Sequence, residues 1–126
     1  MKKILYLTFL FLFVSCASNQ KSLNKEHQIF LKEVQTKKQT LNDKDYRSYL
    51  NNMIKRKEGE LAGISGRKYR EEGMISQNDS QDSHSRQDLY HFKSQTHSMN
   101  WHNLEEREKL VHKQLFFLRS QLSSLN

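Results

Sequence analysis

From Trp101 onward, apolar positions recur in alternating steps of three and four: Trp101, Leu104, Val111, Leu115, Leu118, Leu122 and Leu125, with Glu108 as the one polar rung. That spacing is the a/d seam of a heptad repeat. Leu110 and Phe117 widen the apolar arc to about 160°, more than a two-stranded seam uses. Phe116 falls outside the arc. The pattern predicts a helix that packs into a bundle or into a coiled coil of three or more chains. Asn103 followed by Glu106 reads as a capping box, which places the start of this helix near Asn103. Glu105, Glu106 and Glu108 come early and Lys109, Lys113 and Arg119 late, the order that the helix dipole favours.

Two weaker stripes lie upstream. Leu23, Phe30, Val34 and Leu41 sit at sums of three- and four-residue steps, with His27 and Lys37 on the missing rungs. Tyr46, Tyr49, Leu50, Met53 and Ile54 then hold an i, i+3, i+4, i+7, i+8 pattern, a fuller amphipathic face. Asn42 or Asp43 can restart a helix, because a short side-chain oxygen accepts a free N–H there. Periodicity alone leaves open whether residues 22–58 are one helix or two. Gly59 reads as a C-cap, with Lys55, Arg56 and Lys57 in the last turn before it. There is no proline, and all four glycines (Gly59, Gly63, Gly66, Gly73) fall within 15 residues. In that stretch Arg67–Glu72 reads as one helical turn. Residues 76–88, SQNDSQDSHSRQD, hold no apolar side chain and read as a flexible linker, since nothing there offsets the entropy of ordering. Residues 89–92 carry no decisive pattern. The expected fold is mainly α: two or three amphipathic helices, a helical region 23–75 with a glycine-punctuated end, a disordered polar linker 76–88, and a C-terminal amphipathic helix region 89–126 able to form a coiled coil.

The N-terminus follows a different logic. Lys2 and Lys3 precede an apolar run from Ile4 to Val14, broken only by Thr8. Spanning a bilayer takes roughly 20 helical residues, so this run is too short, but it has the three-part build of an export signal. Phe13-Val14-Ser15-Cys16 resembles the lipobox of bacterial lipoproteins, matching at Val14, Ser15 and Cys16. The resemblance implies cleavage between Ser15 and Cys16, and a diacylglycerol and an N-acyl chain on Cys16. Residues 1–15 are then a signal peptide and residues 16–22 a tether, with the membrane as partner through the lipid. Ala17 is not the aspartate that holds enteric lipoproteins at the inner membrane, so the resemblance favours the outer membrane. An ordinary signal peptidase site fits too, with Ser15 and Ala17 as the small residues and cleavage before Ser18, which gives a soluble secreted product. Cys16 is the only cysteine, so it has no partner within the chain for a disulfide, and acylation accounts for it.

Removing residues 1–15 takes away two lysines and no acids, so the net charge falls from +7 to +5. Apolar residues then make up 33 of 111, about 30%, against roughly 45–50% in an ordinary globular domain. One small domain is the most such a chain can build. Lys55, Arg56, Lys57, Arg67, Lys68 and Arg70 put six basic residues into a 16-residue span. Such a cluster reads either as a solvated helix end or, after export, as a contact for anionic lipid or envelope polymer, not for nucleic acid.

Catalytic and metal motifs fail by spacing. Four of the six histidines, His84, His91, His97 and His102, are seven, six and five residues apart, which is not the adjacent-turn spacing of a helical ligand pair. Gly63-Ile64-Ser65-Gly66-Arg67-Lys68 does not meet the phosphate-loop spacing. Gly59 and Gly63 have GxxxG spacing, but Glu60 between them excludes a membrane contact. The expectation is a non-enzymatic envelope lipoprotein without metal or cofactor, acting through its C-terminal helix on a second copy or a helical protein.

Overall fold

The computed structural model describes the backbone of residues 2–80 and 87–125 and the side chains of residues 20–77, 93 and 95–125. The described residues form three helices, α1 (Lys2–Thr40), α2 (Asp43–Ser80) and α3 (Gln87–Ser123), and no strand. The protein is all-helical.

The break between α1 and α2 falls where Asn42 and Asp43 place it. Leu41 N–H donates to the Lys37 carbonyl at 3.0 Å, closing α1, and Lys37 and Lys38 occupy its last turn. The Thr36 and Thr40 hydroxyls turn back to the carbonyls of Lys32 and Thr36 at 2.9 and 3.0 Å, the i−4 back-bond by which a threonine is accommodated in a helix. Asn42 stands at the N-cap position of α2, and Asp43 and Asp45 supply negative charge to its first turn. Residues 22–58 are therefore two helices.

The chain divides into two units, residues 1–42 and 43–126. In the first, the buried positions among the described side chains of α1 are His27, Phe30 and Val34, so His27 belongs to the stripe and does not interrupt it. Its ring stacks on Phe30 with centroids 6.3 Å apart.

The second unit is a hairpin of α2 against α3. Cross-contacts running from Arg47–Leu125 through Glu58–Arg119 to Glu72–Trp101 show that the two helices are antiparallel. Ile64, Val111 and Leu115 form a core cluster, with Ile54, Leu61 and Leu104 packed against it. Tyr46, Leu50, Met53 and Leu118 are also buried.

Local signals give way to packing at four places. Gly59 is not a C-cap: α2 runs through it and through Gly63, Gly66 and Gly73 without a positive φ. An interior glycine costs a helix about 1 kcal/mol, but Ile64, five residues past Gly59, is fully buried against α3 and holds the helix together across the stretch. The helix continues over residues 76–80 of the expected linker and ends at Ser80, while residues 81–86 lie outside the described residues. Asn103 and Glu106 do not cap a helix start, because α3 begins at Gln87 and residues 89–92 are helical. Residues 16–22 continue α1, where a tether had been expected.

Candidate functional site

The a/d stripe of α3 faces α2. Val111, Leu115 and Leu118 are buried, and Trp101, Leu104, Leu122 and Leu125 are half-buried. This apolar face is thus covered within the chain, by Ile54, Leu61 and Ile64 of α2. The alternation of three and four keeps successive apolar residues on one side, so that burying one buries the next. Phe116 stands off the stripe and is 78% exposed.

Polar pairs flank the core. Arg107 grips Glu60 through Nε at 2.9 Å and Nη2 at 2.6 Å, both on Oε1, and Lys57 donates to Glu60 Oε2 at 2.9 Å. Burial pushes the Glu60 carboxyl up, but the hydrogen bonds and charges of Lys57 and Arg107 outweigh it and leave the pKa below the ordinary value. Further along, Lys68 donates to Glu108 at 2.6 Å and lies 4.7 Å from the centre of the Trp101 ring, a cation–π distance. The Trp101 indole N–H donates to Glu72 at 2.9 Å, and His97 Nδ1 meets Glu71 at 2.6 Å. Toward the other end Arg119 bonds Glu58 at 2.8 Å, and the Arg47 guanidinium donates to the Leu125 carbonyl at 2.8 Å.

These pairs divide the six basic residues expected to meet an anionic surface. Lys57 and Lys68 are half-buried in pairs with Glu60 and Glu108. Arg67 bonds the carbonyl of Gly63 at 3.4 Å, and Arg56 approaches the sulfur of Met53 at 3.8 Å. Lys55, Arg56, Arg67 and Arg70 are exposed. The helix therefore does not present the six as one face.

His102, Glu105 and Glu106 bring three metal-type ligand atoms within 4.8 Å of one another, an i, i+3, i+4 grouping that the histidine spacings did not show. Lys109 already serves it, 2.9 Å from Glu106 and 3.7 Å from Glu105. The Lys109 hydrogen bond holds the Glu106 carboxyl below its usual range, and Glu106 in turn raises the lysine.

No family model, no curated protein and no solved structure matches this chain. Cys16 and Ser15, the residues expected to carry lipid and cleavage, fall within the backbone of α1, and their side chains lie outside the described residues. Among the described residues, no helix is long and apolar enough to cross a membrane.

The cross-helix pairs were invisible in the sequence, since their members stand 26 to 78 residues apart. Only the antiparallel pairing of α2 with α3 brings them into register.

Proposed function

We propose that the protein is a small lipoprotein of the bacterial cell envelope. Cleavage between Ser15 and Cys16 leaves Cys16 carrying a diacylglycerol and an N-acyl chain, with the outer membrane favoured over the inner. The observation that carries this reading is a lone cysteine immediately after an eleven-residue run, Ile4 to Val14, with Val14-Ser15-Cys16 in lipobox form. Two or three acyl chains bind firmly, at about 0.8 kcal/mol per buried CH₂.

In this reading the role is structural or one of protein interaction, without catalysis. The hairpin of residues 43–126 has its own core, which suits a module displayed at a membrane by a separate anchor. Because Val111, Leu115 and Leu118 are used inside the chain, a partner would meet the outer face of α3. The secreted alternative, cleavage before Ser18, predicts a soluble product without Cys16.

Intact mass of the protein from the membrane fraction tests the proposal. The expected species begins at Cys16 and carries the added mass of the lipid, and Cys16→Ser releases it from the membrane. An unmodified chain beginning at Ser18 refutes the reading.

A further inference from the structure

Folding α3 back along α2 sorts charge in a way that the linear sequence hides. The half of the hairpin at the open end comprises residues 43–58 and 109–126. It holds eight basic residues against three acidic ones, a net charge of +5. Toward the other end of the hairpin, residues 59–80 and 87–108 hold five basic against eight acidic, a net charge of −3. Glu108 pairs with Lys68 inside the second half and Glu58 with Arg119 inside the first, while Lys57 and Lys109 reach across the boundary to Glu60 and to Glu105 and Glu106, which leaves a smaller positive excess on Lys44, Arg47, Lys55, Arg56 and Lys113. Beyond Glu108, α3 contains no acid at all.

Phe116 lies in the positive half. It is 78% exposed, with Lys113 and His112 one turn before it and Arg119 and Ser120 one turn after, all exposed. A large apolar side chain among cations is the pattern of an interfacial contact: the cations meet headgroup phosphates and the ring enters the headgroup–acyl boundary. An anionic polymer in water would use the cations but has no apolar phase for the ring.

We propose that the open end of the α2–α3 hairpin docks on an anionic lipid bilayer, with Phe116 inserted at the interface and Lys113 the nearest cation to the headgroups. This deepens the envelope reading and rests on it for the presence of a membrane. The lipid on Cys16 would hold the chain at the surface, and the positive end would set which side of the hairpin faces it. The acidic half, with Tyr69 78% exposed, would point away.

The test places an indole at the proposed contact. The full chain is purified from membranes and reconstituted on vesicles of phosphatidylcholine alone or mixed with phosphatidylglycerol. Phe116→Trp is compared with the parent, whose one tryptophan is Trp101, and with Tyr69→Trp at the acidic end. On phosphatidylglycerol the indole from Phe116→Trp should shift to the blue and lose most of its acrylamide quenching. High salt should reverse both changes, while the indole from Tyr69→Trp stays quenched throughout. Lys113→Gln should raise the phosphatidylglycerol needed about fivefold, since a surface lysine contributes about 1 kcal/mol.

An indole equally quenched on both vesicle types overturns the proposal. So does one shielded before any anionic lipid is added, which indicates a second copy on Phe116. Binding to a soluble polyanion with no indole response on vesicles also overturns it, in favour of a polymer ligand. Retention on pure phosphatidylcholine reports the Cys16 anchor separately. Retention with a silent indole defeats the docking proposal alone, and an indole that responds without such retention defeats the anchor alone.

Discussion

Gln114 sits where an amide should not. The residue is 1% exposed, and neither Nε2 nor Oε1 has a hydrogen-bond partner among the described residues. A buried polar group left without a partner costs about 1–3 kcal/mol, and this amide carries two such atoms. Gln114→Met keeps the length of the side chain and replaces the amide with an apolar thioether. A volume-conserving swap of this kind costs less than about 1.5 kcal/mol in packing. Removing the desolvation penalty should outweigh that, for a net gain of about 1–2 kcal/mol. In a unit of 84 residues, each kcal/mol moves Tm by about 4–8 °C, so the expected rise is about 5–15 °C.

Thermal unfolding of the full chain, followed by far-ultraviolet circular dichroism, reads the change. Gln114→Ala is the control. It also removes the amide but leaves a cavity, so it should unfold below Gln114→Met. Gln114→Glu places a carboxylate in the same space and should unfold lower than the parent. A Tm for Gln114→Met equal to or below that of the parent refutes the reasoning, because the amide must then be satisfied in the folded protein.

Three further outcomes follow from the same hairpin. Gly59→Ala should raise stability by about 0.5–1 kcal/mol, since the new Cβ meets nothing within 4 Å and the residue is inside a helix; a loss in denaturant unfolding would mean that Gly59 caps the helix after all. Leu115→Asp puts a carboxylate into the cluster of Ile64 and Val111 at a cost of several kcal/mol, comparable with the stability of so small a unit, and should abolish the helical circular dichroism signal, with sedimentation reporting the oligomeric state of the parent; unchanged helicity would show that the stripe is not the core. The depressed Glu60 carboxyl contributes stability that is full above its unfolded value near 4.5 and lost as pH falls through the lower folded value. Glu60→Gln should thus lower Tm at neutral pH and match the parent in strong acid, whereas a deficit independent of pH would assign the effect to packing alone.

The helices were legible wherever burial repeats locally. Tyr46, Leu50 and Met53 on α2, and Val111, Leu115 and Leu118 on α3, were picked out by spacing and are all buried. The Asn42–Asp43 restart was legible because a cap is a property of a few neighbouring atoms. Gly59, the Asn103–Glu106 pair and residues 76–80 misled for one shared reason. Each is a real local preference of about 1 kcal/mol or less, and each lies on a helix fixed by contacts many residues away. His27 was misread because hydropathy counts an imidazole as polar, although its ring packs on Phe30 like any other.

Charge shows the same distinction between sequence and fold more sharply. Read along the chain, Lys55 to Arg70 is the basic segment. In the hairpin Lys57 and Lys68 are committed to Glu60 and Glu108, and the acids of residues 71, 72, 105 and 106 share the half of the structure that contains Arg67 and Arg70. The positive excess lies instead where residues 43–58, which hold Lys55, Arg56 and Lys57 of that segment, meet residues 109–126. Phe116 had no place in the heptad because it does not serve the core. Its exposure sets it between Lys113 and Arg119, one turn to either side on α3, so the proposed contact surface is that outer face of α3 and not the buried stripe.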